Sequence, residues 1–171
     1  MILIHTALLC EAQTFIEYFK LKKINSTPKI YADDNIIICI AGVGKENTIK
    51  ALEYIFQNFI IKKAFNIGIA GIFNKDIKIG ELFCTTHKLD NILYKKLITV
   101  DTPQDNKNCK GDTLYDMEGK YFLQICLQYL LKEDIYIFKI VSDHLDNNIL
   151  SKDSVKKLIC NSKNILNNFI K

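Results

Sequence analysis

The chain contains no arginine and no tryptophan; all 23 of its basic residues are lysine. Without the planar guanidinium fork, a bidentate clamp on phosphate or carboxylate cannot be built, and any anion must be held by ammonium point charges. Proline (2) and glycine (7) are too few for a collagen-like or linker-rich chain. No apolar run approaches the ~18 residues of a membrane span. The N-terminal stretch MILIHTALLCEA has no positive charge ahead of its apolar run and reaches Glu11 quickly, so it reads as a first strand and not as a signal peptide. No cysteine pair has C-x-x-C spacing, which argues against a zinc or thioredoxin-like motif. The net charge of +4 comes from 23 basic against 19 acidic residues, and the lysines are scattered. A nucleic-acid partner is therefore not expected, nor a membrane.

What is present is an ordinary globular composition: 171 residues, 49% hydrophobic and 25% charged, enough for one domain spanning 1–171. The six cysteines stand at 10, 39, 84, 109, 126 and 160. Cys39 and Cys126 lie in apolar runs, where a free thiol packs as a small hydrophobe. Six free thiols in a reducing, cytoplasmic setting are expected.

Short apolar runs alternate with amphipathic stretches. Strands are expected at 2–8, 36–42, 64–71, 79–86, 97–100 and 134–143. Helices are expected at 11–22, from 45 to about 59, at 117–131 and at about 152–170. The last should turn Val155, Leu158, Ile159, Ile165, Leu166 and Phe169 inward. Pro28 breaks the stretch after the first helix, Tyr31 to Asp34 read as a turn into the strand at 36–42, and the polar stretch 101–112 reads as a loop. This order implies an α/β domain of three layers, with a mixed, mostly parallel central sheet flanked by helices. Such sheets bind ligands beyond the C-terminal ends of their strands, which is where polar residues carry most information.

Four such places stand out: Glu11; G-V-G-K at 42–45; N-I-G-I-A-G at 66–71; and the acidic clusters Asp116-Met117-Glu118 and Ser142-Asp143, with Asp146 nearby. Each has a plain structural explanation. Glu11 can complement a helix dipole, the glycines can allow turns or close packing, and Asp116 can cap a helix. The 42–48 segment is not a Walker loop, because its spacing is wrong. Glu118 is harder to explain away: it heads an almost wholly apolar helix, where a carboxylate needs strong partners or a cavity. His5, His87 and His144 read individually as structural or exposed.

In order, TALLCEA (6–12), AGVGKENT (41–48), NIGIAGIFNKDIKIGEL (66–82), YDMEGKYFLQIC (115–126) and IVSDHLD (140–146) resemble the purine nucleoside phosphorylase/uridine phosphorylase superfamily. The 5′-methylthioadenosine/S-adenosylhomocysteine nucleosidases are the most similar branch. The resemblance implies hydrolysis of the N-glycosidic bond of a purine nucleoside or related compound. Glu11 would activate water, and Asp143 would protonate or hydrogen-bond purine N7, supported by Ser142. Glu118 would hold the ribose hydroxyls and Met117 would pack on the ribose. The backbone around Ile69, Ala70 and Gly71 would line the pocket. An acid on the leaving base and a carboxylate on the opposite face suit a bond whose cleavage develops an oxocarbenium-like sugar.

The resemblance implies no cofactor, no metal and a homodimer. Two departures shape the expectation. The family's middle segment is shortened here at about 88–112, where members carry the aromatic wall of the base site; Tyr94 or Tyr115 would have to replace it. Family phosphorylases bind phosphate largely through arginines, which favours water as the nucleophile here, with Lys45 or another lysine left as a weaker ligand for phosphate. A phosphate-dependent phosphorylase and a non-catalytic nucleoside-binding relative are the alternatives.

Overall fold

The computed structural model describes residues 1–102, 111–146 and 150–170. Strand β1 (Ile2–Thr6) lies at the centre and leads into helix α1 (Leu9–Phe19). A hairpin follows, β2 (Lys22–Ser26) and β3 (Lys29–Ala32), then β4 (Ile36–Ile40) and helix α2 (Lys45–Asn58). Strand β5 (Lys63–Ile72) is the longest. Short strands β6 (Leu82–Cys84), β7 (Leu93–Tyr94), β8 (Leu97–Thr99) and β9 (Leu114–Asp116) precede helix α3 (Gly119–Cys126). Strand β10 (Ile135–Asp143) and helix α4 (Lys152–Ile170) complete the described fold.

The sheet runs β2-β3-β4-β1-β5-β10-β6-β7, with β9 paired to β5 and β8 to β9. Its centre, β4-β1-β5-β10, is parallel, and antiparallel pairs flank it. This is the expected three-layer α/β architecture. Alternation along the strands sorts most of the core into two clusters, with a smaller third of Ala70, Ile72, Phe83, Leu114 and Val141. Ile4, Ile36, Ile38, Ile40, Phe138 and Ile140 pack with α1 and α4. Leu3, Ile37, Cys39, Ala64, Ile135 and Ile137 pack with Phe122 and Cys126 of α3 and with α2. Both faces of these strands are buried, which is why they read as continuous apolar runs.

Several expectations need correction. The stretch broken by Pro28 is the β2–β3 hairpin, its turn held by Asn25 Nδ2 donating to the Thr27 and Pro28 carbonyls, and Tyr31 and Ala32 belong to β3 rather than to the turn before β4. This outer pair carries exposed Lys22 and Lys23, so it lacks an apolar signature; charge on an edge strand deters stray pairing. The expected helix at 117–131 is only Gly119–Cys126; the chain then tightens into i→i−3 bonds from Gln128 and Tyr129. Strand β9 was not anticipated, and the strand at 79–86 is only three residues long. On α4, Val155, Ile159 and Leu166 are buried and Leu158 and Phe169 pack half-buried against the core as expected, while Ile165 faces out and Ser162 and Ile170 join the buried face.

Cys10, Cys39, Cys84, Cys126 and Cys160 are free thiols, as expected; Cys109 lies outside the described residues. Among the described residues, no helix is long and apolar enough to cross a membrane.

Candidate active site

The chain just beyond β1, the C-terminal parts of β5 and β10 and the segments after β4 and β9 surround a cleft of about 280 Å³. Glu11, Ile69, Ala70, Gly71, Met117, Glu118, Ser142 and Asp143 all line it. The residues singled out at separate strand ends are thus brought to one cavity. Asp116 and Tyr115 also line it, together with apolar Leu8, Val43, Val100 and Leu145. Tyr94, the other candidate for the aromatic wall, lines a different groove.

Glu11 is the third residue of α1 and is buried. Its Oε2 accepts from the backbone N–H of Ala7 (3.0 Å) and Leu8 (2.8 Å), and its Oε1 accepts from Ile69 N–H (3.1 Å). This carboxylate therefore does satisfy a helix start, as the plain reading has it, and also ties α1 to β5. Burial pushes its pKa up, opposed by the Leu8 and Ile69 N–H bonds and by the charge on Lys139. The approach is possible because residue 68 is glycine: a Cβ there would stand 2.9 Å from Glu11 Oε1 and 3.4 Å from Lys139 Nζ.

Lys139 was not anticipated. It sits in the middle of β10, in the same register face as Ile135 and Ile137, and is only 1% exposed. Its Nζ lies 2.8 Å from Asp116 Oδ2. Burial works to lower its pKa, but the charges of Asp116, Glu118 and Glu11 outweigh that and carry it above the usual lysine value. Asp116 is held further by Thr99 Oγ1 (2.6 Å to Oδ1) and by Gly119 N–H (2.8 Å to Oδ2). Asp116 is not the N-cap of α3, which is Glu118, but it accepts from the N–H of the first helical residue, Gly119, and it also anchors Lys139. The signal in the sequence was a single lysine inside the apolar strand IYIFKIV. A charge at such a position has to be paired.

Glu118 is buried beneath the α2 entry, where its Oε1 accepts from Gly44 N–H at 2.8 Å. Burial raises its pKa, with Lys139 and the Gly44 N–H pulling the other way. The G-V-G turn thus supplies a backbone donor to this carboxylate. On the far wall, Asp143 ends β10 at a bulge opposite Gly71. Its Oδ2 accepts from Ser142 Oγ and its Oδ1 from Leu145 N–H (2.9 Å), which fixes its orientation. Behind the cleft, His5 is fully buried, its Nδ1 is 2.8 Å from Asn66 Nδ2, and desolvation together with Lys139 pulls its pKa down to about 3. His5 is therefore a neutral core residue, consistent with its plain reading. His87 and His144 each bond a backbone carbonyl. Among the described residues, no three His, Cys, Asp or Glu side chains are grouped to hold a metal.

The lining thus holds four carboxylates (Glu11, Asp116, Glu118, Asp143) and no lysine. Such a cleft favours developing positive charge and disfavours an anion.

No protein-family profile matches the chain, and no curated protein matches it by sequence. Solved structures match it over nearly its whole length. Futalosine hydrolase of Helicobacter pylori strain 26695 superposes with a TM-score of 0.81 at 16% identity, covering 99% of this chain and 96% of that one. The H. pylori 5′-methylthioadenosine/S-adenosylhomocysteine nucleosidase gives 0.82 at 16% identity, covering 99% and 97%. The corresponding nucleosidase from Neisseria meningitidis, in complex with methylthio-immucillin-A, gives 0.77 at 17%, covering 96% of each chain. The chain thus shares the fold of these hydrolases and nucleosidases across its described length, at low sequence identity.

Proposed function

We propose that the protein hydrolyses the N-glycosidic bond of a purine nucleoside or related compound, in the manner of a methylthioadenosine/S-adenosylhomocysteine nucleosidase. The observation that carries this reading is the convergence of Glu11, Glu118 and Asp143 on one cleft from three separate stretches of chain. In this mechanism the bond from C1′ of the sugar to the base nitrogen breaks. Asp143, oriented by Ser142 and the Leu145 N–H, gives its proton to N7 of the leaving purine. Glu11 takes a proton from water as the water oxygen bonds to C1′. Burial, by making Glu11 a stronger base than an ordinary carboxylate, suits it to that step. Glu118 accepts the ribose hydroxyls, and Met117 packs against the sugar. Each well-placed acid or base contributes roughly 10²–10⁴ in rate.

The lysine-free lining favours water over phosphate as the nucleophile. Lys45, the candidate phosphate ligand, instead has its Nζ 5.6 Å from the centroid of the Tyr121 ring. A variant of the H. pylori nucleosidase holds 5′-methylthioadenosine in its active site, which supports a nucleoside as ligand here. Leu8 and Val43, half-exposed at the cleft, support closure by a second copy in a homodimer.

The test is base release from methylthioadenosine, S-adenosylhomocysteine, adenosine, inosine and futalosine, each with and without phosphate. The expected result is phosphate-independent release, abolished by Asp143→Asn. Release only with phosphate would establish a phosphorylase. Binding without turnover would leave a nucleoside-binding relative.

A further inference from the structure

A second groove of about 600 Å³ opens beside α3. Its apolar surface is formed by Leu97, Leu123, Leu127 and Ile137, and its polar groups include Lys96 and Lys120. No carboxylate lines it, and neither lysine is in an ion pair among the described residues. The Lys120 ammonium does rest 5.9 Å from the Tyr121 ring centroid, an engagement that leaves it its charge. Two lysines without an ion pair among the described residues, lining a largely apolar cavity of this size, suit a small ligand with an apolar body and an anionic head. The catalytic cleft has the opposite character, with four carboxylates and no lysine in its lining.

Only one layer of residues separates the two cavities. Thr99 and Gly119 line the groove, and together with Lys139 they hold the two oxygens of Asp116, which lines the cleft. Thr99 Oγ1 also accepts from Lys120 N–H at 2.8 Å. There is no slack in this wall: a Cβ on Gly119 would fall 2.5 Å from Leu97 Cδ2 and 2.9 Å from Asp116 Oδ2. A ligand that draws in Lys120 or presses on Leu97 must therefore move the groups that position Asp116, and through it Lys139.

We propose that this groove is a second binding site, for an amphipathic small anion such as an aryl or alkyl carboxylate or sulfonate, and that its occupancy is felt at Asp116. The proposal is independent of the reaction carried out in the cleft.

The probe is 8-anilinonaphthalene-1-sulfonate, an aromatic sulfonate that fluoresces on apolar surfaces. It should bind saturably with one site per chain. Decanoate should compete, and decyltrimethylammonium of equal chain length should not. The surface double variant Lys96→Gln/Lys120→Gln should bind roughly twofold to thirtyfold more weakly, the scale of two partly exposed charge contacts. In ¹⁵N-labelled protein, decanoate should shift the Gly119 and Lys120 amide resonances. Unsaturable binding, equal competition by the cation or unchanged affinity in the double variant would refute the site. Lysine-dependent binding that leaves both amide resonances in place would refute the coupling to Asp116.

Discussion

Lys139 Nζ and Asp116 Oδ2 are 2.8 Å apart, and the two side chains are 2% and 1% exposed. Glu118 and Glu11 complete the set of charges acting on that ammonium. Removing one partner of a buried pair leaves the other uncompensated, which costs about 3–5 kcal/mol. Lys139→Met should destabilise by that amount in urea unfolding, and adding Asp116→Asn should restore part of it. A single variant within 1 kcal/mol of wild type would show that the pair does not hold the site together.

Glu11 combines a function with a stability cost. Its pKa is raised from 4.5, chiefly by burial. As the proposed base it must be ionised, so kcat/KM should fall on acidification with a limb above pH 4.5. The stability sign is the reverse. A carboxyl whose folded pKa is raised contributes most below its unfolded pKa, and that contribution is lost as pH rises through the folded value. Glu11→Gln should therefore lose activity while gaining stability at pH 7 relative to wild type. A variant less stable at every pH would show that the charged form's three N–H bonds outweigh its desolvation.

The Gly68 position tests placement without removing any functional group. A Cβ at 2.9 Å from Glu11 Oε1 must displace that oxygen or the strand beneath it. Gly68→Ala should lower kcat by about 10²-fold, the usual scale for a misplaced catalytic group. Circular dichroism should remain that of a folded protein. Unchanged kcat would place the reacting water away from Glu11.

The two tyrosines make opposite predictions. Tyr115 lines the cleft and Tyr94 does not. If Tyr115 packs against the base, Tyr115→Ala should raise KM for the nucleoside roughly threefold to tenfold, the range of an aromatic contact. Tyr94→Ala should leave KM unchanged. The reverse pattern would place the base on the other side of β8.

Much of this was legible in the sequence, for a local reason. Strands buried on both faces are nearly continuous apolar runs, so ILIHT, IIICI and IYIFKIV announced the parallel centre of the sheet despite His5 and Lys139. Glu11, Glu118 and Asp143 were visible because each follows or ends such a strand or heads a helix. The β2–β3 hairpin and β9 were not visible. The outer strand of the hairpin is exposed and lysine-rich, and β9 is three residues whose pairing depends on β5 and β8.

The sequence by itself determined the layer order and which polar residues would stand at strand ends, because periodicity and chain punctuation are local properties. Only the tertiary structure decided what those residues do to one another. Lys139 is a lone charge in a strand until β9 brings Asp116 to it, and Gly68 is a small residue until α1 places Glu11 over it. The groove beside α3 likewise exists only through the packing of α3 against β8 and β10. Burial, pairing and pKa depend on charges and low-dielectric walls supplied by distant parts of the chain, and no local pattern encodes those distances.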